Sequence, residues 1–174
     1  MRKEQTEYKY DVFISYSHTD SEWVQGWLMR ELERASLRVC IDSRDFALGV
    51  PSIVNMEQAV DISRHTLLVL TPAWVASEWT AFESLLVQTS DPAGRRQRLI
   101  PLLLKPCEPP HRIAMLTYAD FRNEEEQASQ LARVIEAASG KPEPPEPAQP
   151  LGRLLYKTAT DDPRVGRPSS ALTR

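Results

Sequence analysis

The sequence predicts an α/β fold, a five-stranded parallel sheet flanked by helices on both faces, with flavodoxin-like topology. Strand-like and helix-like segments alternate five times in about 130 residues, which is typical of parallel sheets with right-handed crossovers. The strand segments are short apolar runs without polar alternation, as expected of strands that are covered on both faces. We therefore expect ligands to bind beyond the carboxyl ends of the strands.

The first half of this pattern begins with a strand at residues 10–16, an aromatic and β-branched run. Thr19 and Glu22 form the pattern of a capping box, which predicts a helix that runs through Arg34 with apolar residues at helical spacing. A second strand is predicted at residues 37–42.

The loop at residues 43–51 is longer than most connections, which suggests that it does more than connect two elements. Gly49 is expected to adopt a positive φ there. A helix then begins at about Ser52. Its predicted buried stripe consists of Ile53, Met56, Ala59 and Val60.

The third strand is predicted at residues 65–71, followed by a helix from Pro72 to about Gln88 that Thr71 caps. Trp79 and Glu83 lie four residues apart in this helix, so that an aromatic surface and a carboxylate share one face. Because the helix follows a strand, this pair is expected at the ligand-binding edge of the sheet.

The remaining elements complete the domain and its flanks. A turn-rich loop at residues 90–96 precedes a fourth strand at 99–104, whose proline indicates an early or edge position. A short strand at 117–121 and a helix at 124–138 follow. The predicted organisation is a lead at 1–9, one domain at 10–139, a proline-rich spacer at 140–150 and, at 151–174, a mostly disordered tail or truncated linker.

Composition narrows the class of function. The 174 residues carry 21 basic and 24 acidic side chains, a net charge of -3 with no basic run, so we expect no nucleic-acid partner. No apolar stretch approaches the roughly 18 residues of a membrane span, and no signal-peptide core is evident, which indicates a cytoplasmic protein without a membrane partner. Cys40, predicted to be buried, and Cys107 lack metal-ligand spacing with the histidines, so we assign no metal.

Four motifs, in this order and spacing, together resemble TIR (Toll/interleukin-1 receptor) domains over residues 10–138. They are residues 11–17, Ile41-Asp42 with a loop that ends Leu48-Gly49, the Ser63-containing helix end before residues 67–71, and Ser77-Glu78-Trp79 with Glu83. Some TIR domains are signalling scaffolds, and others are enzymes that cleave NAD+ between nicotinamide and ribose. Glu83 matches the catalytic glutamate of the enzymes, although the cysteine usual after the tryptophan is replaced by Thr80.

The resemblance implies an NAD+ hydrolase that yields nicotinamide and ADP-ribose, linear or cyclised, with NAD+ as substrate and no cofactor. Nicotinamide leaves as a neutral group, so a carboxylate that stabilises the oxocarbenium-like transition state suffices. The resemblance places Tyr16, Ser17, Asp42 and Gly49 in the substrate pocket, and the alternative for Tyr16 is an aromatic residue that only ends the strand. Trp79 would pack against the ribose or nicotinamide, or serve only the core. His18 is expected to be a surface residue without a catalytic role.

The resemblance also implies self-association between TIR domains, with a fused or separate sensor module as a further partner, in signalling, innate immunity or antiphage defence. The assembly loop would comprise Arg44, Asp45, Phe46, Leu48 and Pro51. Arg44 and Asp45 are expected to be solvated charges that touch a neighbouring subunit. The alternative function is a non-enzymatic TIR scaffold. A phosphorelay receiver is disfavoured because strand three ends Leu70-Thr71, without an acceptor aspartate.

Overall fold

The computed structural model describes residues 8–79 and 98–140. Several predictions lie outside these residues: the lead before residue 8, the helix beyond Trp79 with Glu83, the loop at 90–96, the spacer from residue 141 and the tail. Within the described parts, no helix is both long enough and apolar enough to span a bilayer.

A five-stranded parallel sheet forms the centre of the protein, as predicted. Its strands are Tyr10–Ser15 (β1), Val39–Cys40 (β2), Ser63–Leu70 (β3), Leu99–Leu103 (β4) and Ala119–Asp120 (β5). Their order is β2-β1-β3-β4-β5. The chain moves from β1 to β2 on one side and returns to β3 on the other, so the topological switch point lies between β1 and β3.

Helices cover both faces of the sheet. The first, α1, is continuous through Ser21–Trp23, the π-type turn Val24–Leu28 and Met29–Arg34. The others are Asp42–Asp45 (α2), Ser52–Ile62 (α3), Pro72–Ser77 (α4), His111–Ala114 (α5) and Gln127–Ser139 (α6). Short 3-10 turns at His18–Asp20 and Glu124–Glu126 precede α1 and α6.

Strand β3 divides the core into two apolar clusters because successive side chains point to opposite faces. Leu67 and Val69 pack with residues of α1 and α6, and Leu68 and Leu70 pack with residues of α3, α4 and α5. All four side chains are at most 1% exposed. Cys40 is buried in the second cluster, as predicted, and burial raises the pKa of its thiol to about 12.

The predicted capping box at the start of α1 is wrong. The Thr19 hydroxyl instead lies 3.1 Å from the Ser17 hydroxyl, and a 3-10 turn leads into the helix. Asp20, at the end of this turn, points into the protein, where its carboxylate binds Thr71 and Lys105. These contacts across the sheet determine how the helix begins, and they replace the local cap.

The predicted stripe of α3 is correct at Met56, Ala59 and Val60 but wrong at Ile53, which is 38% exposed. Asn55 is buried instead, because its side-chain amide binds the loop before the helix. It accepts a hydrogen bond from the Ala47 amide and donates to the Ala47 and Val50 carbonyls. The buried Asn55 side chain therefore holds the loop against the helix.

Other boundaries differ from the predictions. The second and fifth strands are two residues each, Ser63 is the predicted end of α3, as its C-cap, and also the first residue of β3, and α4 ends at Ser77 with Glu78 as its C-cap. Strand β4 is interior, so the edge position indicated by Pro101 is wrong. Proline is tolerated there because β5 pairs only with Leu102 and Leu103, which follow it.

We expect the stability supplied by Asp11 to depend on pH. Arg38 donates to the Asp11 carboxylate from its backbone amide at 2.8 Å and its guanidinium at 3.0 and 3.1 Å, which lowers the pKa of Asp11. A lowered folded-state pKa stabilises the protein above about pH 4, the unfolded value, and this contribution is lost as pH falls through the folded value.

Replacing Asp11 by Asn should therefore cost about 1–3 kcal/mol near neutral pH and progressively less below about pH 4. Urea denaturation of the parent and of Asp11→Asn across this range measures the difference. A difference that stays constant with pH would contradict the assignment.

Gly49 has the positive φ that the sequence predicts, +76°. An added Cβ would meet no heavy atom within 4 Å, so Gly49→Ala should destabilise through the backbone alone, by about 1 kcal/mol. Gly26 is the matched control, because it is helical and its added Cβ is equally unobstructed. Gly26→Ala should stabilise by about 0.5–1 kcal/mol. Equal shifts of the two urea midpoints would contradict this explanation.

Candidate functional site

Polar side chains converge at the carboxyl edge of the sheet, beside the switch point. Asp20 follows β1, Thr71 follows β3 and Lys105 follows β4. Thr71 Oγ1 donates to Asp20 Oδ2 at 2.7 Å, and Lys105 Nζ lies 2.5 Å from Asp20 Oδ1. The Asp20 side chain is 1% exposed, whereas that of Lys105 is 56% exposed. One buried carboxylate thus ties together the ends of three strands.

Trp74 connects β1 with α4, the helix that follows β3. Thr71 accepts a hydrogen bond from the Trp74 backbone amide at 3.2 Å, which is the predicted N-cap of α4. The Trp74 indole Nε1 donates to the Ser15 hydroxyl at 3.1 Å, and both residues are buried. The Trp74 side chain consequently holds the start of α4 against the end of β1, while its backbone amide binds the N-cap.

Tyr16 and Asp42, both predicted for the substrate pocket, lie together. The Tyr16 hydroxyl donates to Asp42 Oδ1 at 2.8 Å and accepts from Gln25 Nε2 at 2.7 Å. Burial, followed by the hydrogen bond to Asp42, raises the pKa of Tyr16 to about 12, so its hydroxyl stays a neutral donor. Asp42 Oδ1 also accepts from the Ser43 amide at 2.7 Å.

His18 has a carboxylate neighbour that the sequence did not reveal. Its Nε2 lies 3.6 Å from Asp42 Oδ2, and its ring meets the Tyr16 ring edge to face with centroids 6.0 Å apart. The side chain is 80% exposed, which agrees with the predicted surface position. Asp42 thereby faces Tyr16 with one oxygen and the exposed His18 with the other.

Other residues predicted for the pocket lie apart from this pair or at its margin. Ser17 is buried, and its hydroxyl pairs with that of Thr19. Gly49 is exposed in the loop beyond α2. Trp79 is partly buried and packs on Trp74, with ring centroids 6.2 Å apart and an interplanar angle of 58°. Trp79 therefore has, at least in part, the core-packing role that was one of its two expected roles.

Asp45 is not the solvated loop charge that was predicted. Its side chain is 16% exposed and accepts from the Ile41 amide at 2.9 Å and the Tyr10 hydroxyl at 3.3 Å. Arg44 is exposed, but it binds Glu33 at 2.7 Å, as well as Asp45 and the Val39 carbonyl. Arg44 and Asp45 therefore hold the loop against the strands. Without Asp45, the backbone amide of Ile41 at the start of α2 would lack this hydrogen-bond acceptor. Their contact with a neighbouring subunit stays a prediction.

The remaining residues of the predicted assembly loop divide between the core and the surface. Phe46 stacks on Phe13, with centroids 6.0 Å apart and an interplanar angle of 29°, so it belongs to the core. Leu48 is 100% exposed, and Pro51 is also exposed. Nearby apolar side chains are exposed by 36–38%: Val50, Ile53 and Val54.

Sequence reasoning missed the Asp20–Lys105 pair and the role of Gln25. Asp20 and Lys105 are 85 residues apart, and the only available signal was that each follows a strand. Among the described residues, no three acidic, histidine or cysteine side chains are grouped to hold a metal ion. At this edge of the sheet the partly exposed Asp42 carboxylate, the exposed His18 and the partly buried Trp79 ring are the groups that a sugar and a base could contact.

Comparisons with known proteins identify relatives of the whole domain. A family model for the TIR domain matches residues 12–135. Toll-like receptor 2 type-2 of Gallus gallus is 32% identical over 147 residues, 74% of this chain and 18% of the receptor. Toll-like receptor 2 of Ovis aries is 40% identical over 76 residues, 42% of this chain and 10% of the receptor. The chain thus spans less than a fifth of the length of these curated relatives.

Solved structures with the same fold include two metazoan proteins. The TIR domain of the Toll-related receptor TRR-2 from Hydra magnipapillata has a TM-score of 0.66 and 26% identity, over 76% of this chain and 100% of that one. A TIR-STING receptor from C. gigas, in complex with 2',3'-cGAMP, has a TM-score of 0.62 and 26% identity, over 81% of this chain and 42% of that one.

Proposed function

Since the chain belongs to the TIR domain family, we propose that it hydrolyses NAD+ at the nicotinamide–ribose bond when several copies associate. The products are nicotinamide and ADP-ribose, linear or cyclised. The observation that carries this proposal is the Tyr16–Asp42 pair at the exit of β1, beside the switch point of the sheet. The family resemblance assigns both residues to the substrate pocket.

The pair is suited to bind a ribose. Tyr16 and the Ser43 amide both donate to Asp42 Oδ1, which fixes the orientation of the carboxylate. Asp42 Oδ2 faces the exposed His18 at 3.6 Å, and it is the oxygen to which a sugar hydroxyl would donate. A carboxylate held in this way binds a diol without rotating, so less side-chain entropy is lost on binding.

Glu83 supplies the catalytic charge in this proposal, although it lies outside the described residues. Positive charge grows on the ribose as the bond to nicotinamide breaks, and a nearby carboxylate stabilises that charge. Nicotinamide is a neutral leaving group and requires no general acid. Trp79 packs on Trp74 at the same edge of the sheet, and its partly buried ring can provide a wall for the base or sugar.

A TIR scaffold without enzymatic activity is the second candidate, and the exposed apolar surface around Leu48 favours it. Leu48 is 100% exposed, and Val50, Ile53 and Val54, which follow it closely in the sequence, are exposed by 36–38%. An exposed apolar patch of this kind marks an interaction site. The Toll-like receptor relatives support a signalling role through TIR–TIR contacts. The same surface would assemble the enzyme, so assembly alone does not separate the candidates.

Nicotinamide release from NAD+, measured against protein concentration, tests the proposal. We expect the specific activity to rise with concentration and Leu48→Asp to lower it about 10-fold or more, because a charge in an apolar contact is costly. Ala128→Asp is the control: it adds the same charge to an exposed position in the first turn of α6, where an acid is favourable. Parent protein that assembles without releasing nicotinamide would leave the scaffold as the function.

A further inference from the structure

We propose that Asp20 is a positioning residue for the active edge, acting through the Thr71 hydroxyl on α4, whose Trp74 packs against Trp79. This inference rests on the proposed function where it concerns catalysis. Its structural part, the control of Trp79 by Asp20, stands on contacts in the protein alone. The chain of contacts is Lys105 to Asp20, Asp20 to Thr71, Thr71 to the Trp74 amide, and Trp74 to Trp79.

The two carboxylate oxygens of Asp20 have different partners. Oδ1 accepts from Lys105 Nζ and Oδ2 accepts from the Thr71 hydroxyl. Because the Thr71 proton points to Asp20, the oxygen of the same hydroxyl presents its lone pairs to the Trp74 amide. Asp20 therefore determines which way the hydroxyl faces, and through it whether the N-cap of α4 forms.

Lys105 makes this orientation strict. Its ammonium group carries donors and no acceptor, so of the two ends of an asparagine amide it can bind only the oxygen. A carboxylate has one oxygen for Lys105 and another for Thr71. In Asp20→Asn only one oxygen remains, and the charged Lys105 takes it because charge-assisted bonds are the stronger ones. The amide NH2 of the asparagine then faces Thr71. The Thr71 hydroxyl proton has no acceptor there, and the hydroxyl oxygen accepts from both the asparagine NH2 and the Trp74 amide.

The start of α4 sets the position of Trp79. Trp74 is 0% exposed, and its indole is bound to Ser15 of β1, so its ring is a fixed platform for the Trp79 ring. Misplacement of a catalytic element by about 1 Å can cost about 100-fold in rate. A weakened cap thus affects catalysis through geometry, although Asp20 itself is buried away from the substrate.

The test is fluorine NMR of protein labelled with fluorotryptophan, together with steady-state kinetics of nicotinamide release. All four tryptophans lie in the described residues. Trp23 and Trp27 contact Phe121 in the other apolar cluster and serve as internal references. In Asp20→Asn we expect the Trp74 and Trp79 resonances to shift while the references stay in place. The kcat should fall about 10-fold or more, with KM changed less than about two-fold.

Lys105→Met in the Asp20→Asn background is the decisive variant. It frees the single Asn oxygen for Thr71, so the Trp79 resonance and kcat should return toward the parent values. Asp11→Asn is the matched control, because it neutralises another buried, cation-paired aspartate at the opposite end of β1. It should leave the Trp74 and Trp79 resonances and kcat unchanged.

Folded Asp20→Asn with unshifted Trp74 and Trp79 resonances would overturn the inference, and so would a double variant that stays as perturbed as Asp20→Asn. If Asp20→Asn does not fold, the double variant takes its place, and an altered Trp79 resonance in it would refute the mechanism. A parent protein that releases no nicotinamide would remove the proposed function, while the resonances would still decide whether Asp20 controls Trp79.

Discussion

Replacing Glu83 by Gln is expected to lower the rate of nicotinamide release about 100-fold or more. Glutamine keeps the size and the hydrogen-bonding oxygen of the side chain but removes its charge. Because positive charge develops on the ribose only as the glycosidic bond breaks, the lost interaction belongs to the transition state. The expected effect therefore appears in kcat, with KM little changed, and corresponds to about 2.7 kcal/mol of barrier.

Glu78→Gln is the matched control for this experiment. Glu78 lies five residues earlier in the same segment and is the C-cap of α4, where its backbone amide donates to the Trp74 carbonyl. Its side-chain charge has no role in the proposed chemistry, so its activity should equal that of the parent. Both variants are compared at the highest protein concentration used for the parent, with circular dichroism as the check on folding. Equal release by Glu83→Gln and the parent would remove Glu83 from the mechanism.

Local signals in the sequence predicted the elements whose cause is local. Thr71 caps α4, and Gly49 has a positive φ, because both depend on backbone geometry within a few residues. The sheet order also followed from the alternation of strands and helices, since connection rules leave few topologies. Tyr16 and Asp42 were predicted from a family resemblance, and the structure places them in contact.

Contacts between distant residues account for the errors. The capping pattern of Thr19 was overridden because Asp20 is drawn inward by Thr71 and Lys105, which are 51 and 85 residues away. Apolar periodicity predicted that Ile53 is buried. Asn55 is buried instead, because its side-chain amide binds the preceding loop. Hydrophobic patterns do not record such polar pairs, because the partner residue comes from another element.

Replacing Thr71 by Val is expected to give the largest loss of stability, about 2–3 kcal/mol, or a fall in melting temperature of roughly 5–10 °C. Valine matches threonine in shape, so packing in the buried site is preserved. The lost hydroxyl has two roles: it accepts from the Trp74 amide as the N-cap, and it donates to the buried carboxylate of Asp20. Both partners are left unsatisfied away from water, and an unsatisfied buried group costs more than a hydrogen bond gains.

Urea denaturation of Thr71→Val and Thr71→Ser measures this effect. Serine keeps the hydroxyl and caps helices as well as threonine, so it should lose less than about 1 kcal/mol. Similar losses in the two variants would mean that the methyl group, and not the hydroxyl, stabilises this site.

Combining Thr71→Val with Asp20→Asn gives a second criterion. Because both substitutions break the same hydrogen bond, their joint cost should be smaller than the sum of the single costs, and strict additivity would contradict the coupling of Asp20 to the helix cap.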